Sequence, residues 1–186
     1  VHLKLVDASD PILRKKCAPF DFTNPCVDIM EFSHAIVKLM VESNGIGLAA
    51  NQVGLDTRIF ALRAAPAMLV CINPRIVWKS EKEVLLEEGC LTYPNLIVKI
   101  KRPEFIRARF WMPNGEVRTE KFVGMTARCF QHEVDHLDGK VFYEQANRYH
   151  REQAFKKRKK VEKGEIVYKL RHNLDEISDY ELYNAR

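Results

Sequence analysis

The chain has 186 residues, of which 46% are hydrophobic and 30% charged, with 8 glycines and 8 prolines. That composition excludes disordered and collagen-like classes, and the length suits a single domain with one sizeable core. The formal net charge is +5, but the eight Lys/Arg and two Glu between Arg148 and Lys163 supply +6, so the remaining body is near neutral and does not read as a nucleic-acid surface.

In chain order, Asn24-Pro25 reads as the start of a first helix. Met30, Ile36, Val37, Met40 and Val41 continue it at helical spacing, and Gly45 offers the stop. A glycine-bearing loop follows, Gly45-Ile46-Gly47-Leu48-Ala49-Ala50-Asn51-Gln52. The middle is β-rich: Thr57 to Leu62, Met68 to Ile72 and Arg75 to Trp78 are short branched and aromatic runs, broken by Pro66 and Asn73-Pro74. Leu96 to Lys101 is strand-like, and Phe105 to Trp111 and Val117 to Val123 flank the hairpin signal Pro113-Asn114-Gly115. Helical character returns from Met125 to Leu137 with Gly139 at its stop, and again over residues 148–163, ending at Gly164. This ordering predicts an α+β fold. Antiparallel strands are expected to pack around the helix of residues 125–137, with an N-terminal helix and a basic C-terminal one. Residues 1–164 are read as one catalytic domain and 165–186 as an extension with no assigned role.

The helix of residues 125–137 carries the chemistry. His132-Glu133-Val134-Asp135-His136 is a His-Glu-x-x-His motif, and residues four apart share a helix face, so both imidazoles can point at one ion. Glu133 sits about 100° around the helix, able to reach a water on the metal without being a ligand. At this composition the motif is expected by chance roughly 0.02 times. A catalytic site of this type needs a third protein ligand and an open position. Just downstream of His136 only Asp138 is available. Upstream, Cys90 follows a glycine at the end of a strand-like run, a good place to present a thiolate, although a small buried thiol is an equally fair reading by composition. His2, His34, His150 and His172 belong to no ligand-like cluster.

Three segments together resemble the peptide deformylase family: Gly45-Ile46-Gly47-Leu48-Ala49-Ala50-Asn51-Gln52, then Glu88-Gly89-Cys90-Leu91-Thr92, then Gln131 through Gly139. The resemblance spans roughly residues 10–160. It implies that Cys90, His132 and His136 bind a metal ion, that Glu133 is the general base and then acid, and that Gln52 and the backbone N–H of Leu91 face the developing oxyanion. It further implies removal of the formyl group from N-formylmethionyl peptides of nascent chains, with iron(II) as the physiological ion and zinc a less active substitute. By donor type alone, two imidazoles and a thiolate also accept cobalt or nickel.

The glycine loop lacks the Lys-Ser/Thr of a phosphate loop and the later glycine of a dinucleotide fingerprint. Its small residues let backbone approach a substrate chain closely. By resemblance, Ile46 and Gly47 pair with the peptide in strand fashion. Met125, Arg128 and Cys129 precede His132 by seven, four and three positions and so share its face. The resemblance implies that this face lines the methionine pocket, with Arg128 contributing its aliphatic stem and keeping its charge at the rim, while Met125 and Cys129 read equally well as plain core residues. Thr92 stands where serine is commonest in the family, and Asn95 to Lys99 lack an arginine that many bacterial members carry.

The segment Lys156-Lys157-Arg158-Lys159-Lys160 reads equally as a solvated face or a phosphate contact. The resemblance favours docking of the helix of residues 148–163 on ribosomal RNA. Five cysteines, an odd and scattered set, suit a reducing compartment. No apolar run approaches the roughly 20 residues of a membrane span, and Val1 to Asp7 turns acidic too soon for a secretory signal. A cytoplasmic monomer with no membrane partner is therefore expected. The competing enzyme class is a zinc endopeptidase, which uses the same helix motif. The competing non-enzyme class is a ribosome-binding protein with a structural metal.

Overall fold

The structure, a computed structural model, describes residues 1–167. Most of the expected extension of residues 165–186 lies outside the described residues.

The first helix, α1, spans Ile29–Glu42. It begins later than Asn24-Pro25 suggests because Asp28 is the cap, its side chain accepting a hydrogen bond from the Glu31 N–H at 2.9 Å. Phe32, Ile36 and Met40 form its buried stripe, while Met30 and Val41 face water. The strands follow as β1 (Gly47–Ala49), β2 (Ile59–Ala64), β3 (Ala67–Lys79), β4 (Glu83–Cys90), β5 (Tyr93–Pro103), β6 (Phe105–Trp111) and β7 (Val117–Val123). Five of them form an antiparallel sheet ordered β1-β2-β3-β6-β7, and β4-β5 form a separate hairpin.

The two runs flanking Asn73-Pro74 are one strand, not two. Asn73 adopts φ 49°, and the register slips between Ile72 and Arg75, so the proline sits where no ladder N–H is required. The Asn73 side chain holds this bend by bonding both the N–H and the carbonyl of Phe20. The predicted turn at Pro113-Asn114-Gly115 closes the β6–β7 hairpin, with Gly115 at φ 83°.

Helix α2 (Gly124–Leu137) carries the His-Glu-x-x-His motif, and all but two of its residues are buried. On one side Phe130, Val134 and Leu137 pack with Phe60, Leu62, Ile106 and Phe110 of the sheet. β2 is buried from both directions. Phe60 and Leu62 face α2, whereas Ile59 and Ala61 face Ile36 and Met40 of α1, which is why its sequence is a continuous apolar run. The hairpin supplies a third cluster, Leu96, Val98 and Ile100, closed by Phe142 and by Ala154 of α3 (Arg148–Glu162). α3 is capped by Asn147 and exposes Lys156, Lys159 and Lys160.

Candidate metal centre

Cys90 ends β4, just past a register shift at residues 88–90, and α2 delivers His132 and His136 from one face. One ligand atom from each of Cys90, His132 and His136 lies within 4.8 Å of the others, and Cys90 Sγ is 3.3 Å from His136 Nε2. The mid-chain sulfur and the two imidazoles thus converge as expected.

Both histidines are held from behind. His132 Nδ1 lies 2.9 Å from Glu88 Oε1. Glu88 is reached by Arg102 through Nε at 2.6 Å and Nη2 at 2.9 Å, and by Arg128 Nη1 at 2.6 Å. Arg102 also bonds Asp135 at 2.7 Å. Burial would raise the Glu88 carboxyl, but the His132 bond and the Arg102 charge hold it well below the usual carboxylate range. At His136 the backbone carbonyl, near the end of α2, accepts a 2.6 Å bond from Asn51. Burial pushes its imidazole down, towards the neutral form that coordinates metals.

The chemistry-bearing groups gather around the same cavity. Ile46, Gly47, Gln52, Cys90, Leu91, Met125, Arg128, Cys129, His132 and Glu133 all line it. Gln52 is oriented by its own loop: its Oε1 accepts the Ala49 N–H at 2.9 Å, so its Nε2 donates toward Thr92 Oγ1 at 3.0 Å and Cys90 Sγ at 3.5 Å. Glu133 is 3% exposed, and its Oε2 has no partner among the described residues. Burial pushes its carboxyl up to about 7, and a carboxyl poised near neutrality can take and return a proton. Gly47 passes so close that an added Cβ would collide with the Glu133 carboxylate and lie 2.7 Å from Cys129 Sγ.

One expectation is corrected. Arg128 does line the cavity, but its charge is not at the rim: the side chain is 4% exposed, paired with Glu88 and donating to the carbonyls of Ile100 and Val84. A buried carboxylate two residues before Cys90 attracts the guanidinium more strongly than solvent at the mouth. Sequence reasoning also gave no role to Glu88, Arg102 and Asp135. The signal was present in β5, where Leu96, Val98 and Ile100 alternate inward and Arg102 is next in that period, an inward cation that needs a buried acid.

Two imidazoles, a thiolate and a buried carboxylate on the same cavity, whose Oε2 has no partner among the described residues, fit a divalent transition ion with an open position.

Residues 2–152 match the family model described as polypeptide deformylase. The peptide deformylase of Bartonella tribocorum is 32% identical over 84% of this chain and 90% of that protein. That of Thermotoga neapolitana is 36% identical over 70% and 78% respectively. Among solved structures, the Synechococcus elongatus enzyme in complex with actinonin superposes with a TM-score of 0.77 at 30% identity, covering 84% of this chain and 86% of that one. A plant peptide deformylase does so at 0.78 and 31% identity, covering 88% and 90%.

Proposed function

The chain belongs to the polypeptide deformylase family, a metal-dependent hydrolase removing the N-formyl group from nascent peptides, and from that premise we propose how its own residues perform the reaction. Cys90, His132 and His136 hold the ion. When bound, a divalent ion supplies Lewis acidity, polarising the formyl oxygen and making water acidic enough to attack at neutral pH. Glu133 takes the proton of the attacking water and returns it to the departing amine as the C–N bond breaks, leaving formate and a free N-terminus. The Gln52 side-chain N–H and the Leu91 backbone N–H donate to the oxygen of the carbon under attack. A neutral amide suits that task because it stabilises charge without giving up its proton.

The substrate backbone runs along Ile46 and Gly47 as an added strand, and the methionine side chain enters between Met125 and Cys129, whose sulfurs match a thioether. Arg128 contributes its stem to that wall while its charge serves Glu88. Iron(II) is the physiological ion, with zinc, nickel or cobalt able to occupy the same donors. The enzyme acts as a cytoplasmic monomer, and α3 docks on ribosomal RNA. No helix among the described residues is long and apolar enough to cross a membrane.

The observation that carries this reading is the meeting of three ligand atoms within 4.8 Å on a cavity shared with Glu133, whose buried Oε2 has no partner among the described residues. Formate release from formyl-Met-Ala, assayed on protein purified without oxygen and analysed for metal, tests it. A zinc endopeptidase would instead cut internal peptide bonds, and a ribosome-binding protein would release nothing.

A further inference from the structure

The second half of β3, together with β6 and β7, carries a feature that hydrolysis does not use. Ile106, Ala108 and Phe110 of β6 are buried in the core against α2. The alternation that buries them turns Phe105, Arg107, Arg109 and Trp111 to the opposite face. Strand register then aligns two rows on that face. Arg75 lies opposite Arg109 with Thr119 beyond it, and Trp78 lies opposite Arg107 with Lys121 beyond that. α1 covers this side of the sheet over β2 and the start of β3, but Arg75, Trp78, Arg107, Arg109 and Lys121 are exposed.

Both rows set cations directly across from one another, an arrangement that is unfavourable unless something neutralises it. Among the described residues none of the four cations has a carboxylate partner, and the acids on or beside β6 and β7 are occupied or turned away. Glu104 pairs with Lys82 and Glu116 with Arg118, and Glu120 lies opposite Ala108 on the inward side of β7. Two of the four lie over rings instead. Lys121 Nζ is 4.8 Å from the Phe105 centroid and Arg109 Cζ is 5.9 Å from that of Trp111. The Trp78 and Phe105 rings lie 5.3 Å apart and, with Val77, Arg107 and Lys121, line a shallow depression.

We propose that this face binds single-stranded RNA, with bases stacking on Trp78 in the depression and phosphates meeting Arg75, Arg107, Arg109 and Lys121. The exposed Trp78 ring, the partly exposed Phe105 ring beside it and the unneutralised cations around them match the two things an unpaired strand offers, π faces and a regular negative charge. A duplex keeps its bases stacked inside, and an acidic peptide has no flat faces to offer. A second copy of this chain would set the four cations against themselves. The choice of RNA over DNA rests on the reading that the enzyme meets its peptides at the ribosome. The surface differs from α3, whose cations are not interleaved with exposed rings beyond Tyr149.

Both tryptophans of the chain, Trp78 and Trp111, are on this face, so stacking alters the intrinsic fluorescence directly. A short oligouridylate titrated into the metal-loaded full chain should quench that emission to saturation, with affinity falling steeply as salt is added. Anisotropy of a labelled oligouridylate should show Trp78→Ala weakened about 5- to 150-fold, Trp78→Phe partly restored, and the double variant Arg107→Glu/Lys121→Glu without measurable binding. All three should keep wild-type formate release, because none of these residues lines the cavity. Loss of RNA binding and loss of the catalytic reading are therefore separable. A triple variant of α3, Lys156→Glu/Lys159→Glu/Lys160→Glu, should still be quenched. The proposal is overturned by an absence of quenching, by wild-type affinity in Trp78→Ala, or by loss of quenching in the α3 variant alone. It is equally overturned if duplex RNA, single-stranded DNA or a polyglutamate peptide binds as tightly as the oligouridylate.

Discussion

His132 and Glu88 are joined at 2.9 Å through Nδ1 and Oε1, which leaves Nε2 of that imidazole for the ion. The carboxylate is in turn fixed by Arg102 and Arg128. A ligand steered in this way is more basic and better aimed than a free imidazole. Glu88→Gln should therefore weaken metal retention about 10- to 100-fold, read by competition with a chromophoric chelator. Glu88→Ala should further cost about 3–5 kcal/mol of stability, because it leaves the buried Arg128 without a carboxylate partner and Arg102 with Asp135 alone; denaturant unfolding of the two variants separates the effects.

Glu133 is not among the three proposed ligands, so its removal should spare the ion and strike turnover. Glu133→Ala is expected to retain full metal stoichiometry while kcat for formyl-Met-Ala falls about 100- to 10,000-fold. Gln52→Ala should resemble it on both readouts, with a loss of about 3–4 kcal/mol in transition-state stabilisation. Wild-type turnover in either variant would take that residue out of the mechanism.

Cys90→Ser tests the third ligand. A serine hydroxyl is a harder and poorer donor than a thiolate for this class of ion. The variant should lose metal or exchange it for another ion, visible by metal analysis after dialysis. Unchanged stoichiometry and activity would contradict the ligand role.

Much of this centre's geometry was legible before any coordinates, because the candidate residues sit in short contiguous motifs. His132 and His136 are one helical turn apart, and the glycine loop announces a close backbone approach. The strand signals around Pro113-Asn114-Gly115 likewise act through neighbours in sequence. What could not be read was set by residues far apart in the chain. The helix start moved to Ile29 because Asp28, and not Asn24, found the orphan N–H groups. The strand through Asn73-Pro74 stayed whole because Phe20, 53 residues away, satisfies the bend. Arg128 turned inward because Glu88, 40 residues upstream, waits there. Helical spacing assigns a residue to a face, but the partner that decides where its charge ends comes from another element.

Gly47 offers a steric test that removes none of the proposed chemical groups. A methyl at this position meets the Glu133 carboxylate and Cys129 Sγ, both on buried helix α2, so the neighbour with room to move is the carboxylate facing the cavity. Gly47→Ala should accordingly displace the proton carrier and narrow the substrate strand. It should lower kcat and raise KM together, while metal content stays unchanged. A variant that keeps wild-type kinetics would show that Glu133 is not confined by this loop.

The basic helix calls for a test that respects its packing. Ala154 and Phe155 of α3 belong to the cluster that covers β5, so deleting the helix would expose Leu96, Val98 and Ile100 and confound fold with binding. Lys156, Lys159 and Lys160 point to solvent, and reversing all three changes the local charge by six without touching that cluster. If α3 docks on ribosomal RNA through phosphate neutralisation, Lys156→Glu/Lys159→Glu/Lys160→Glu should sharply weaken co-sedimentation with ribosomes at low salt. Wild-type binding should weaken steeply as salt rises, since each neutralised phosphate releases condensed counterions. Formate release from a free formyl peptide should be unchanged in the same variant, because these side chains lie outside the cavity. Ribosome affinity that is insensitive to both salt and charge reversal would leave α3 as a solvated face over the hairpin.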